Sequence, residues 1–84
     1  MQVTLKLFAS LNKYLPVTKI SNVEALIEVP EGTNIGTVIE TYQIPEKSAH
    51  LVLVNGKYIE PSARMEYVLQ ANDALAICPP VAGG

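Results

Sequence analysis

One stretch of this chain carries a sustained apolar stripe at helical spacing, and most of what surrounds it alternates instead. Ile35, Val38, Ile39 and Tyr42 recur with the 3.6-residue period of an α-helix, leaving Thr37, Glu40 and Thr41 to face water. Pro30-Glu31-Gly32 interrupts the chain ahead of this stretch. Thr33 or Asn34 can then cap the helix through a side-chain oxygen, and Pro45 ends it after Gln43 and Ile44. Gly36 lies in the first turns, where it costs about 1 kcal/mol relative to alanine. A single short helix cannot bury its stripe alone. It needs a sheet beneath it, which predicts a two-layer α+β arrangement with one main helix across one face of a mixed sheet.

The flanking segments supply that sheet. Residues 2–8 alternate strictly, with Val3, Leu5 and Leu7 on one face and Gln2, Thr4, Lys6 and Phe8 on the other. Phe8 is the apolar member of the polar side, and it either covers a sheet edge or belongs to a contact surface. From residue 9 to 21 the pattern weakens to a loop with one helical turn at Leu11, Tyr14 and Leu15, closed by Pro16. Residues 22–29 alternate again, with Val23, Ala25, Ile27 and Val29 inward, Glu24 and Glu28 outward, and Leu26 as the exception. Beyond a connector at 45–50, Leu51-Val52-Leu53-Val54 is a fully apolar strand. Asn55-Gly56 is a strong hairpin signal, with Lys57-Tyr58-Ile59 as the returning arm. Residues 63–70 read as irregular chain pinned by Met65, Tyr67 and Val68 or Leu69. Ala71-Asn72-Asp73 is a turn that feeds the last strand, Ala74-Leu75-Ala76-Ile77-Cys78. Since the helix must connect the first hairpin to the rest of the sheet, the first and last strands are expected as central neighbours.

At 84 residues there is room for one core, which buries somewhat over ~60% of the unfolded surface. Apolar residues make up 49% and charged ones 17%, which argues for a globular domain with apolar surface to spare. The net charge is -2 and the six basic residues are scattered, so there is no stripe to hold phosphates and nucleic-acid binding is not expected. No apolar run approaches the ~18 residues of a membrane span and no leader-like segment opens the chain, so a cytoplasmic, membrane-free protein is expected. The single cysteine, Cys78, excludes an internal disulfide and cannot by itself build a zinc site. It reads as a structural strand residue, with a reactive thiol as the less favoured alternative.

Chemistry is hard to find in residues 1–78. His50 has no nucleophile near it in sequence, and a strand-end surface histidine accounts for it. The carboxylates, Glu24, Glu28, Glu31, Glu40 and Asp73 among them, read as solvated faces and turns rather than a metal or acid–base pair. Gly32, Gly36 and Gly56 are isolated, so no phosphate loop exists. The remaining candidate is the end of the sequence, residues 79–84. Pro79 and Pro80 cannot join a sheet ladder and stiffen the exit; Val81 and Ala82 follow; Gly83 and Gly84 can pass a channel too narrow for a Cβ. Six extended residues reach roughly 20 Å at about 3.3–3.6 Å each, far enough to enter a partner's active site. A frayed glycine pair is the plain alternative.

The strand hairpin, the helix, Leu51-Val52-Leu53-Val54-Asn55-Gly56, the Asn72-Asp73 turn and the ending Cys78-Pro79-Pro80-Val81-Ala82-Gly83-Gly84 together resemble the ubiquitin-like β-grasp sulfur carriers. The resemblance covers essentially the whole chain, Leu7-Phe8-Ala9-Ser10-Leu11 included, and within that group it is most similar to the molybdopterin synthase small subunits, since the thiamine-pathway carriers usually lack the proline pair and the longer first connection. Two departures stand out: Ala71-Asn72-Asp73 lacks the glycine usual before the last strand, which Asn72 can replace in a left-handed conformation, and Ala76-Ile77-Cys78 replaces a Phe-rich strand end. The resemblance implies a β-grasp domain over residues 1–78 with a reactive tail over 79–84, and a carrier rather than an enzyme. It implies that an E1-like adenylyltransferase uses ATP and magnesium to adenylate the Gly84 carboxylate, and that sulfur from a persulfide enzyme displaces AMP to leave a thiocarboxylate. No cofactor would be bound stably. The molybdopterin synthase large subunit would take the tail, with Val81, Ala82 and Gly83 threading its pocket and Pro79, Pro80 and Phe8 at the exit and contact surface. Carriers for thiamine, tungsten cofactor or another pathway, a protein modifier forming isopeptide bonds, and a plain interaction module are the alternatives.

Overall fold

The computed structural model describes residues 1–80. Five strands form one mixed sheet: β1 (Gln2–Leu7), β2 (Glu24–Glu28), β3 (Leu51–Val54), β4 (Lys57–Tyr58) and β5 (Ala74–Cys78), in the order β2-β1-β5-β3-β4. β1 runs parallel to β5 and antiparallel to β2, while β3 is antiparallel to both β5 and β4. The expected adjacency of first and last strands is therefore observed, with β5 in the middle. The helix α1 (Ile35–Thr41) crosses one face. Its path carries the chain from β2 on one side of β1 to β3 and β4 on the far side.

Alternation decides which residues enter the core. Val3, Leu5 and Leu7 of β1, Ala25 and Ile27 of β2, Val52 and Val54 of β3, and Leu75 and Ile77 of β5 share the helix-facing side and are all buried. Ile35, Val38 and Ile39 of α1 close over them, each large side chain stabilising the fold by about 1.5–3 kcal/mol through burial. Leu11, on a 3₁₀ turn at Ala9–Tyr14, seals one end of this layer.

The start of α1 is capped by one of the two residues the sequence offered, and its end differs in detail. Asn34 is the cap, its Oδ1 accepting from the Thr37 N–H at 2.7 Å, while Thr33 turns back to donate to the Pro30 carbonyl. The first two helical donors are also occupied: Ile35 N–H donates to the Tyr67 carbonyl and Gly36 N–H to that of Arg64. The loop after β4 thus stitches itself onto the helix start. At the other end the helix stops at Thr41, ahead of Pro45. Gln43 adopts φ 58, its N–H donates to Glu40 and that of Ile44 to Ile39, which is a Schellman closure with an unusual residue at the left-handed position.

The same loop corrects two further expectations. Met65 and Val68 do not pin residues 63–70, since they are 58% and 45% exposed; Leu69, at 1%, does so with half-buried Tyr67. Gly36 is more than a weak helix residue, because a Cβ there would run into the Met65 thioether. Asp73 is not a solvated carboxylate either. It is buried, with Oδ1 accepting from Asn55 Nδ2 at 2.9 Å and Oδ2 from the Gln70 N–H at 2.8 Å, while Asn55 Oδ1 accepts from the Ala74 N–H. Asn55 and Gly56 sit at φ 52 and 83, as a tight hairpin turn requires, and Asn72 at φ 70 occupies the left-handed position. The two turns therefore lock each other.

Replacing Asp73 with alanine leaves the Asn55 amide and the Gln70 N–H without their acceptor, and we expect a loss of about 1–3 kcal/mol. Urea unfolding monitored by circular dichroism measures this. Gly36→Ala and Met65→Ala are expected to couple, since the smaller side chain removes the clash and lets the helical gain of about 0.5–1 kcal/mol appear. A double-mutant cycle on the same unfolding curves checks it.

Candidate functional site

The chain leaves the sheet at the end of β5. There the Cys78 carbonyl accepts from the His50 N–H at 3.1 Å, and the preceding Ile77 carbonyl from the Phe8 N–H at 3.1 Å, so strand neighbours hold the exit on both sides. Pro79 is half-buried and Pro80 exposed, and neither extends the ladder. Val81, Ala82, Gly83 and Gly84, which carry the expected threading segment and reacting carboxylate, lie outside the described residues.

The exit opens beside the sheet face that the helix does not cover. Register places Lys6, Ala76, Leu53 and Tyr58 in one row across this face, and Cys78 level with Leu51 in the next. Phe8 keeps extended dihedrals just after Leu7, which pairs with Ile77, so it falls at the level of Cys78 on the same face. Phe8 is half-buried, Leu51 is 37% exposed and Tyr58 53%. Apolar side chains around a chain exit form a surface suited to a partner, since the buried centre of an interface is depleted in charge. Phe8 was legible as a candidate contact. Leu51, Leu53 and Tyr58 were not, although an unbroken Leu51-Val52-Leu53-Val54 run signals that both faces of β3 are apolar while the core needs one.

The groups weighed in the sequence do not assemble. His50 is exposed just before β3, and Cys78 is half-buried in β5. Glu28, Glu31 and Glu40 are exposed on separate elements, and Glu24 is half-buried at the start of β2. Among the described residues no three His, Cys, Asp or Glu side chains come together as a metal site would require. Burial pushes the Tyr42 hydroxyl above its ordinary value of 10.0, away from any role as a base near neutrality. No helix among the described residues is long and apolar enough to cross a membrane. One side chain that the sequence reading passed over is Arg64, held 8% exposed beneath the loop that caps α1.

The model of the ThiS family matches residues 5–84. Among solved structures, a putative molybdopterin converting factor subunit 1 from Pyrococcus furiosus is 24% identical with a TM-score of 0.68, covering 95% of this chain and 98% of that one. A thiamine biosynthesis protein (ThiS) from Geobacter metallireducens is 15% identical with a TM-score of 0.66, covering all of both chains. A complex of subunits 1 and 2 of the molybdopterin-converting factor from Helicobacter pylori gives 16% identity and a TM-score of 0.59, again over both whole chains. A search of curated proteins returns no match. The fold is the ubiquitin-like β-grasp that these structures share, and the match over nearly its whole length shows that the chain belongs to the ThiS family of ubiquitin-like sulfur carriers.

Proposed function

We propose that this chain carries sulfur as a thiocarboxylate on Gly84 and delivers it in molybdopterin formation, as the small subunit of a molybdopterin synthase. The observation that carries this reading is the apolar sheet face formed by Phe8, Leu51, Leu53 and Tyr58 around the point where residues 79–84 leave β5. A partner seated on that face would meet the chain where it leaves β5, at Cys78. Two of the similar structures are molybdopterin-converting factor subunits, one in complex with its subunit 2, which supports a large-subunit partner for this chain as well.

The chemistry follows from what a carboxylate lacks. It is a poor electrophile, so an E1-like enzyme first joins the Gly84 carboxylate to AMP, using ATP and magnesium and releasing pyrophosphate. The outer sulfur of an enzyme persulfide then displaces AMP at the acyl carbon to give an acyl disulfide, and a second thiol attacks the inner sulfur, breaking the S–S bond to release the Gly84 thiocarboxylate and leave a disulfide behind. In the large subunit the resulting thiocarboxylate sulfur attacks a pyranopterin precursor. Val81, Ala82 and Gly83 thread the pocket, and Pro79 and Pro80 limit the entropy lost when the tail is ordered. In this division of labour the chain presents a group and its partners catalyse.

A second reading is sulfur delivery in thiamine biosynthesis, favoured by the Geobacter structure. Reconstitution separates the two. Charged with sulfur and mixed with a molybdopterin synthase large subunit, the protein should restore pterin sulfuration; if a thiazole synthase accepts its sulfur and the pterin enzyme does not, the second reading replaces the first.

Removal of Gly83 and Gly84 is expected to abolish sulfur delivery and leave the thermal midpoint unchanged. Tyr58→Ala, at an exposed aromatic on the proposed face, should weaken binding to the large subunit by at least about fivefold. Its effect on stability should stay within about 0.5 kcal/mol. Isothermal calorimetry and thermal melts of the same variants read both.

A further inference from the structure

On the helix side of the molecule, away from the open sheet face, α1 and residues 61–65 enclose a groove of about 380 Å³. Its apolar surface comes from Ile39, Ile44 and Met65, and its charged lining from Glu40, Glu46 and Arg64. The last of these is in an unusual position. Arg64 is 8% exposed, its Nε is shielded from water with no hydrogen-bond partner, and its one side-chain bond is a long 3.3 Å contact from Nη2 to the His50 carbonyl. The backbone cannot swing it away, because the Arg64 carbonyl accepts from the Gly36 N–H at the start of α1. Among the described residues no carboxylate lies within ion-pairing distance of the guanidinium.

A guanidinium offers five donors and carries a full charge, so holding one nearly buried with a single weak bond is costly unless something else arrives to complete it. Glu40 and Glu46 are exposed and likewise have no ion-pair partner among the described residues. Charges of both signs thus line one apolar groove without neutralising each other. A simple anion is drawn by Arg64 but repelled by the two glutamates, and a simple cation meets the reverse. A ligand carrying both signs, with an apolar body between them, satisfies all three. Met65, 58% exposed at the rim, is an adaptable side chain for such a contact.

We propose that this groove is a second docking surface, for a partner protein segment that brings a carboxylate to Arg64, a lysine or arginine to Glu40 and Glu46, and an apolar side chain onto Ile39, Ile44 and Met65. The groove faces away from the sheet surface around the tail exit, so both can be occupied together. It is nevertheless linked to that exit: Arg64 holds the carbonyl of His50, and the N–H of His50 holds the last carbonyl of β5. The inference stands independently of the sulfur chemistry, since neither charge pattern nor groove involves Gly84.

The test is a titration of the full-length, 15N-labelled protein with acetyl-Glu-Leu-Lys-amide, followed by backbone amide and arginine Nε–H signals. We expect binding with a Kd on the order of 1 mM, with shifts centred on Gly36, Glu40, Glu46, Met65 and the Arg64 Nε–H. The uncharged acetyl-Gln-Leu-Gln-amide should bind at least about tenfold more weakly, since both of its charge pairings are lost. Arg64→Gln and the exposed double variant Glu40→Gln/Glu46→Gln should each reduce affinity for the charged peptide several-fold, the latter without touching any buried group. Equal binding of the two peptides, shifts on the sheet face instead, or no shift at millimolar peptide would overturn the proposal.

Discussion

The parallel ladder between β1 and β5 is the interaction on which the rest of this structure depends. It joins the two ends of the described chain, pairing Thr4, Leu5, Lys6 and Leu7 with Ala74, Leu75, Ala76 and Ile77, and it makes β5 the middle strand. A parallel pair cannot be closed by a tight turn, so everything between the two strands serves as the connection. β2 flanks β1, α1 crosses the face, and β3 and β4 come to lie on the free side of β5. Because β5 is covered by strands on both edges and by the helix layer on one face, Leu75 and Ile77 are fully buried. Its last residue, Cys78, is therefore a fixed point. For a protein whose proposed reactive group lies at the end of the tail, a fixed starting point at Cys78 is what the fold contributes.

The central elements were legible because each had a local cause. Strict alternation in residues 2–8 specifies a strand buried on one face, and the apolar stripe from Ile35 to Tyr42 requires a sheet to cover it. Asn55-Gly56 takes the positive φ values of a tight hairpin, which is why the turn could be read directly. What escaped the reading was decided by contacts distant in sequence. Gln43 terminates α1 in a left-handed conformation that its residue type does not advertise, because Ile44 is drawn into the core and its N–H closes back on Ile39. Asp73 is buried because the Asn55 side chain reaches across from the other turn, a pairing 18 residues apart. Met65 and Arg64 exchange the places that polarity alone would give them. The loop must pass close over Gly36 to cap α1, which turns the arginine under the chain and leaves the methionine outside.

The candidate site was partly legible for a related reason. Phe8 stands out because it breaks a polar face, but Leu51 and Leu53 are masked by the uniformly apolar strand they sit in. Only the register with Cys78, Ala76 and Tyr58 shows that they line the open face rather than the core. Apolar area beside the chain exit can supply affinity for a partner without taking part in any chemistry. One side of the sheet is thus closed by the helix layer, while the other leaves apolar side chains open around the chain exit.

The central claim is that the reacting atom of this protein belongs to Gly84 and to no side chain of the domain. Intact-mass and fragment-ion spectrometry after incubation with the E1-like enzyme, magnesium-ATP and a persulfide donor tests it most directly. The account predicts one oxygen replaced by sulfur, mapped to the final residue. An unchanged mass with an activating enzyme that charges its own known carrier, or sulfur found on Cys78 instead, would contradict it.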